Sequence, residues 1–141
     1  MKVSIITITY NSAETVEDTI QSVLAQDYPN IEYIIVDGAS KDDTLSIVNR
    51  YTDKIATIQS EPDKGIYDAM NKGVRLATGD LIGILNSDDF YADAQVISDI
   101  VKTVQSAGAD GCYADLVYVD RNETSRVVRT WKSGEYRHGQ F

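Results

Sequence analysis

Polar and acidic residues stand directly after each of the four β-strands that the sequence predicts. These segments are Thr9–Asn11, Asp37–Gly38, Ser60–Gly65 and Asn86–Asp89. Because ligands of an open α/β sheet bind outside the carboxyl ends of its strands, we expect the four segments to line one cleft. Clustered carboxylates repel each other unless a cation lies among them. Oxygen ligands without His or Cys suit Mg²⁺ or Mn²⁺, which commonly share their coordination with substrate phosphates.

The elements that must position these residues follow from the apolar pattern. β-Branched and apolar runs predict strands at residues 3–9, 32–37, 55–59 and 81–85. Helical spacing predicts helices through about Gln26, over 45–51, over 66–76 and over 92–107. An Asn11–Glu14 capping box would begin the first helix, and Asp42 or Asp43 would cap the second. Four strand–helix units in a row predict a mostly parallel α/β sheet flanked by helices, with right-handed crossovers.

The last part of the chain has a different pattern. Residues 111–119 and 125–131 alternate between apolar and polar side chains and are joined by a polar turn. This alternation predicts a β-hairpin near the C-terminus. Its basic residues, with those that follow, are interpreted as a solvated strand face: Arg121, Arg126, Arg129, Lys132 and Arg137.

Composition excludes several classes of partner. The chain has 141 residues and a formal net charge of −9, which disfavours nucleic acid and anionic membrane surfaces. No apolar run approaches the roughly 20 residues of a membrane span, so no span is expected in this chain. The single cysteine, Cys112, allows no internal disulfide and no multi-cysteine zinc site, which favours a reducing compartment such as the cytoplasm.

Two other phosphate-handling folds fit poorly. No GxxxxGK[ST] motif is present and no GxGxxG follows the first strand, so neither a P-loop nor a dinucleotide fingerprint is supported. A receiver-like signalling domain would need a phosphoryl-accepting Asp at the end of the third strand and a Lys at the end of the fifth. Neither residue stands in that order.

The strand-end segments together resemble a known family. In order, the matching stretches are Ser4–Asn11, Ile34–Ser40 with Asp43–Thr44, Glu61–Gly73, Ala77–Asp80 and Leu85–Asp89. Their residues and spacing are similar to those of family 2 glycosyltransferases of the GT-A fold, over roughly residues 3–92. The resemblance implies a Rossmann-like sheet and transfer of a sugar from a nucleotide-sugar donor, usually a UDP-sugar, to an acceptor hydroxyl. The acceptor would be a saccharide or a lipid-linked acceptor, and a lipid-linked one would bring a cytoplasmic protein to the inner face of the membrane.

The resemblance also implies roles for single residues. Thr9 and Tyr10 would lie against the base, Asp37 would accept its imide proton, and Asp63 would help to hold the nucleoside. The rest of the implied nucleotide-sugar set is Asn11, Lys64, Gly65, Asn86 and Ser87. Asp88 would be the ligand of an Mn²⁺ or Mg²⁺ ion on the diphosphate, with Asp89 as a second candidate.

The sequence departs from the family pattern in two places. Asn86 replaces the first acid of the family's DxD motif, which weakens direct capture of a metal by two carboxylates. The family's catalytic base is a carboxylate in the second half of longer chains, and Glu123 and Glu135 lack a supporting context here. We therefore expect residues 1–141 to be one incomplete nucleotide-sugar-binding domain. A binding module without turnover is the alternative.

Structural roles compete with functional ones at several positions. Asp42 and Asp43 are interpreted as caps, and Asp88–Asp89 could cap the helix that begins near Ala92. Asn71 and Lys72 are interpreted as solvent-facing or capping groups. Tyr67 and Met70 are predicted to be core residues.

Overall fold

The computed structural model describes residues 1–134 of the chain, so Glu135, Arg137 and His138 lie outside the described residues. These residues form two compact units, one from Met1 to Thr103 and one from Val104 onward. That residues 1–141 make up a single domain stays a prediction.

A four-stranded parallel sheet is the centre of the first unit. Its strands are β1 (Val3–Thr9), β2 (Ile31–Asp37), β3 (Thr57–Ser60) and β4 (Leu81–Asn86), in the order β3-β2-β1-β4. The register pairs Thr9 with Asp37, Asp37 with Ser60, and Ile8 with Asn86. The parallel sheet is confirmed, and this register brings the polar ends of all four strands to one edge.

Helices follow the strands in the predicted order. They are α1 (Val16–Leu24), α2 (Thr44–Val48) with a 3-10 turn at Asn49–Tyr51, α3 (Ile66–Leu76) and α4 (Val96–Ala107). Asp42 caps α2, because its Oδ1 accepts from the backbone N–H of Thr44 at 3.0 Å. Asp43 occupies the N-cap position without a capping side-chain bond.

The predicted capping box of the first helix is wrong. Helix α1 begins at Val16, after a turn in which the Val16 N–H donates to the carbonyl of Ser12. The side chain of Asn11 instead accepts from the backbone N–H of Lys41, 30 residues away. The local pattern predicts that the Asn11 side chain caps α1, but this side chain bonds to the loop after β2 instead.

Two apolar clusters hold the helices against the two sheet faces. On one face, Ile5 and Tyr33 pack with residues of α1, α2 and α4 such as Ile20 and Ile97. On the other, Ile6 and Ile34 pack with Ala69 of α3. Every residue of β1 is buried, as expected for a central strand covered on both sides.

Helix α3 lies unusually close to the sheet. A Cβ placed on Gly73 would be 2.3 Å from Cγ2 of Ile6, so the absence of a side chain permits this approach. Met70 packs against the same cluster and confirms its prediction. Tyr67 is 77% exposed, so its prediction as a core residue is wrong. Ala69 and Gly73 are the residues of α3 that face the sheet, and Tyr67, two residues before Ala69, lies on the opposite side of the helix.

The other two polar residues of α3 differ from each other. Asn71 is exposed, as predicted. Lys72 is not solvent-facing: its side chain is only 12% exposed, and its ammonium donates to the carbonyl oxygen of Pro62 at 2.9 Å. The prediction is wrong for Lys72 because the loop before α3 folds back along the helix.

The second unit contains the predicted hairpin. Its strands are β5 (Leu116–Val119) and β6 (Val127–Trp131), paired antiparallel with a register shift at Tyr118/Val119. The guanidinium of Arg129 lies 5.6 Å from the ring centroid of Tyr118 and 5.8 Å from that of Trp131. Arg129 is therefore a partner of aromatic rings as well as an exposed residue of the strand.

No helix within residues 1–134 is both long enough and apolar enough to cross a bilayer.

A saturated carboxylate ties the amino ends of β1 and β2 to the turn before β4. Glu32 accepts from the ammonium of Lys2 (2.5 Å), the hydroxyl of Ser4 (2.5 Å), and the backbone N–H (2.8 Å) and hydroxyl (2.7 Å) of Thr78. Burial raises the pKa of Glu32, but these donors outweigh it and lower that pKa from 4.5 to about 2. The ionised carboxylate is therefore stabilised by folding.

We expect Glu32→Gln to lower the free energy of unfolding by about 1–3 kcal/mol at pH 7, because the remaining donors lose their anionic acceptor. The folded-state pKa is below the unfolded one, so this contribution is complete above about pH 4.5 and is lost as the pH falls toward 2. Urea unfolding from pH 7 to pH 3 measures the difference. Asp53→Asn, at an exposed turn, is the matched control. A constant difference across this range would contradict the prediction.

Candidate active site

A cavity of about 700 Å³ opens at the carboxyl ends of the strands in the first unit. It contains most of the predicted site: Thr9, Tyr10, Asn11, Asp63, Gly65, Asn86, Ser87 and Asp88 all line it. Asp37, Lys64 and Asp89 do not. The wall also includes residues that sequence reasoning missed as site residues: Ser12, Ala13, Glu14, Thr15, Asp42, Ile66 and Ala69 among them.

Asp37 lies beneath the wall and is completely buried. Its Oδ2 accepts from the backbone N–H of Ser40 at 3.0 Å and from the hydroxyl of Ser60 at 2.6 Å. Its Oδ1 accepts from the hydroxyl of Ser40. The carboxylate thus joins the loop after β2 to the end of β3. Its implied contact with a base stays a prediction.

The loop after β1 is held by the loop after β2. Asn11 has a positive φ of 49°, a conformation that Asn tolerates better than most residues. Its backbone N–H donates to the Ser40 hydroxyl at 2.8 Å, and its Oδ1 accepts from the Lys41 N–H at 2.9 Å. These two bonds fix the direction in which Tyr10 leaves the strand.

A second chain of hydrogen bonds reaches the loop after β4. Asp42 accepts from the hydroxyl of Thr44 at 2.6 Å and from the backbone N–H of Ala13 at 3.1 Å. The Thr44 hydroxyl in turn accepts from the Ser12 N–H at 2.7 Å, and the hydroxyls of Ser12 and Ser87 lie 2.8 Å apart. The Thr44 hydroxyl is foremost in lowering the pKa of Asp42. Asp42 therefore caps α2 and shapes the cavity wall at once.

The turn after β4 separates its two acids. The Nδ2 of Asn86 donates to Oδ2 of Asp89 at 3.1 Å, while the exposed Asp88 lines the cavity. Helix α4 begins only at Val96, so neither acid caps it and that alternative interpretation is wrong. Of the two, Asp88 is the carboxylate available to a ligand in the cavity.

Two buried polar atoms on this wall have no hydrogen-bond partner. They are Oγ1 of Thr9 and Oδ1 of Asn86. Buried polar groups are satisfied in the great majority of cases, so each exception calls for an explanation. Both residues line the same cavity, which indicates that a ligand or an ordered water completes their hydrogen bonding.

The Asp63 carboxylate fills the space beside Gly38. A Cβ on Gly38 would lie 2.6 Å from Oδ2 of Asp63 and 3.3 Å from Cδ2 of Tyr10. Oδ1 of Asp63 accepts from the N–H of Gly65 at 2.9 Å, and Gly65 has a φ of 108° that favours glycine. The loops after β1, β2 and β3 therefore meet at one point, with the Asp63 carboxylate and the Tyr10 ring both beside Gly38.

Among the described residues, no His, Cys, Asp and Glu side chains form a group of three or more placed to hold an ion.

Comparison with known proteins decides the family. The family described as glycosyl transferase family 2 matches residues 4–141. The chain belongs to this family. Curated relatives of this family 2 chain include an uncharacterized glycosyltransferase of Mycobacterium tuberculosis, 40% identical over 107 residues (75% of this chain, 41% of the relative). Another is the Escherichia coli UDP-Glc:α-D-GlcNAc-diphosphoundecaprenol β-1,3-glucosyltransferase WfaP, 39% identical over 99 residues (70% and 39%). The chain thus spans about two-fifths of these relatives' length.

Solved structures agree with the family 2 assignment. Staphylococcus aureus TarS, residues 1–349 with UDP-GlcNAc, aligns with a TM-score of 0.70 at 28% identity, over 75% of this chain and 32% of that one. The Pyrobaculum calidifontis mannosyltransferase PcManGT, in complex with GDP-Man and Mn²⁺, aligns with a TM-score of 0.69 at 30% identity, over 85% and 36%. The predicted GT-A fold is confirmed.

Gly38→Ala should move the Asp63 carboxylate, because the added methyl would overlap Oδ2. We expect Asp63 to release the Gly65 N–H, so that this amide exchanges with solvent about three- to tenfold faster. Hydrogen exchange followed by NMR measures the rate. Gly111→Ala is the control, since no atom lies within 4 Å of its added Cβ. Unchanged exchange at Gly65 would contradict the proposed contact.

Proposed function

We propose that this chain carries the donor site of a glycosyltransferase that transfers a sugar from a nucleoside-diphosphate sugar to an acceptor hydroxyl. The observation that carries the proposal is the pair of buried, unpartnered atoms on one wall, Thr9 Oγ1 and Asn86 Oδ1. A polar ligand in the cavity would supply the hydrogen bonds that these two atoms lack. The chain also belongs to family 2. The structures of two similar proteins hold UDP-GlcNAc and GDP-Man.

The nucleoside would bind at the end of the cavity lined by Tyr10 and Asp63. Tyr10 is 59% exposed and offers a ring face for stacking on a base. The Asp63 carboxylate, on the same wall, could accept from a base imide or a ribose hydroxyl. We assign this contact to Asp63 and give Asp37 the role of organising the loops, because three donors already occupy its oxygens.

The diphosphate would lie toward Asn86–Asp88. The available donors, an exposed carboxylate on Asp88 and the unpartnered Oδ1 of Asn86, fit Mg²⁺ or Mn²⁺. Such ions take one or two carboxylates from the protein and fill their shells with phosphates and water. When bound, the ion would act as a Lewis acid that stabilises the leaving nucleoside diphosphate. Asp89 would support the site by holding the Asn86 amide.

The chain's own residues would bind and orient the donor. Ser12 and Ser87, linked at 2.8 Å, would keep the nucleoside end and the diphosphate end at a fixed separation. Asn11, Gly65 and the backbone of Lys64 would shape the wall around the nucleoside. Of the donors held by similar proteins, we favour a UDP-sugar.

For the whole protein we propose a role in polysaccharide biosynthesis on a saccharide or lipid-linked acceptor. The Escherichia coli relative, whose name includes a diphosphoundecaprenol-linked acceptor, supports this assignment. The low cysteine content supports a cytoplasmic location.

A binding module without turnover is the second candidate. It is favoured by the surroundings of Glu123, one of the two glutamates in the last part of the chain. The backbone N–H of Glu123 donates to Oδ1 of Asp120 at 3.2 Å within the hairpin turn, so this residue serves the turn. Release of sugar from a UDP-sugar, in the presence and absence of acceptor, separates the two candidates: transfer or hydrolysis supports the enzyme.

We expect calorimetry to show that UDP or GDP binds at least tenfold more tightly with Mn²⁺ than without it, because the ion would neutralise the diphosphate beside Asp88. Asp88→Asn should remove this gain and leave metal-free binding within about twofold. Asp53→Asn, an exposed acid far from the cavity wall, should keep the gain. If neither nucleotide binds the wild-type chain with or without Mn²⁺, the proposed function is wrong.

A further inference from the structure

The Lys72 side chain is largely buried, and its ammonium has three partners. Its side chain is 12% exposed, although it lies on a helix face where a lysine would normally extend into water. The ammonium donates to the carbonyl oxygen of Pro62 and lies 2.9 Å from Oε1 of Glu61. It is also 3.6 Å from Oδ2 of Asp68, one helical turn earlier. Two of its three partners belong to the loop that precedes α3.

That loop, residues 61–65, carries Asp63. At its start, the Glu61 N–H donates to the backbone carbonyl of Asp37 at 3.0 Å. At its end, the Lys64 N–H donates to Oδ2 of Asp68 at 3.0 Å. Between these points the Pro62 carbonyl has one described partner, the Lys72 ammonium. The bond from Lys72 therefore holds Pro62, the residue directly before Asp63, to helix α3.

The negative charge around the 61–65 loop explains why a cation is needed beside it. Glu61, Asp63 and Asp68 place three carboxylates around this short loop, and like charges so close would push the loop open. Hydrogen bonding to Glu61 is the main cause of the raised pKa of Lys72, and the bond to Lys72 is likewise the main cause of the lowered pKa of Glu61. The ammonium compensates these acids while leaving the Asp63 carboxylate directed at the space beside Gly38.

We propose that Lys72 is a positioning residue that holds the 61–65 loop so that the Asp63 carboxylate stays beside Gly38 on the donor-site wall. Lys72 does not line the cavity and would act only through that loop. This inference rests on the proposed function, since it assigns Lys72 to the nucleoside end of the same site. It predicts that the effect of Lys72 on binding depends on Asp63.

A double-mutant cycle tests this dependence. We expect Lys72→Met to weaken binding of UDP about tenfold, and Asp63→Asn to weaken it by a similar factor. In the Asp63→Asn background, Lys72→Met should weaken binding less than twofold further. Lys72→Arg, which keeps the charge, should recover most of the affinity. Arg75→Met, an exposed cation one turn along the same helix, is the control and should bind as the wild type does.

The cycle has clear contrary outcomes. Equal losses from Lys72→Met with and without Asp63 would overturn the proposal, because Lys72 would then act independently of the loop. Wild-type affinity in Lys72→Met would also overturn it.

A readout without nucleotide separates this proposal from the proposed function. Hydrogen exchange of the bonded amides of residues 61, 64 and 65 should accelerate in Lys72→Met and not in Arg75→Met, while the melting temperature reports whether the fold is kept. If the wild type binds no nucleotide, the proposed function fails, and accelerated exchange still supports Lys72 as the holder of this loop. Unchanged exchange overturns that role.

Discussion

The buried carboxylate of Asp37 is the constraint on which the cavity depends. A carboxylate with no exposure to water is costly unless hydrogen bonds replace its hydration. Ser40 and Ser60 supply those bonds from two different loops. The Ser40 hydroxyl also accepts from the Asn11 N–H, which brings in the loop after β1. Solvation of one charge thus draws three strand ends together.

The fourth strand end is joined by neutral groups. The Thr44 hydroxyl donates to Asp42 and accepts from the backbone N–H of Ser12, and the hydroxyls of Ser12 and Ser87 lie 2.8 Å apart. Beyond Asp42, the links from α2 to the turn after β4 are hydroxyls and one backbone amide, which add no charge to an already acidic cleft. The loops that carry the candidate ligands therefore brace one another.

Much of the fold follows from local patterns, while the remaining features depend on distant contacts. The continuous apolar run of β1 predicts a central parallel strand, which is observed. The strand-end segments predict one shared cleft; three of the four segments line it, while Asp37 is completely buried and does not. The positions of Asn11, Lys72 and Tyr67 differ from the local pattern because loop–loop bonds, a folded-back segment and the packing of Ala69 and Gly73 on the sheet decide them. Ser12 and Asp42 were missed as wall residues because their partners lie 29 to 75 residues away. No helical or strand periodicity carries that information.

The contact between Gly73 and Ile6 has an evolutionary consequence. Helix α3 carries Ala69 on the cavity wall and Lys72 beside the 61–65 loop. The helix lies so close to the sheet that Cγ2 of Ile6 leaves no room for a side chain at position 73. A larger residue at position 73 would lift the helix, and the wall and the loop would move with it. Substitutions at positions 6 and 73 are therefore expected to covary in descendants that keep the same ligand. Selection on ligand binding, as well as selection on stability, therefore restricts which core substitutions persist in this protein.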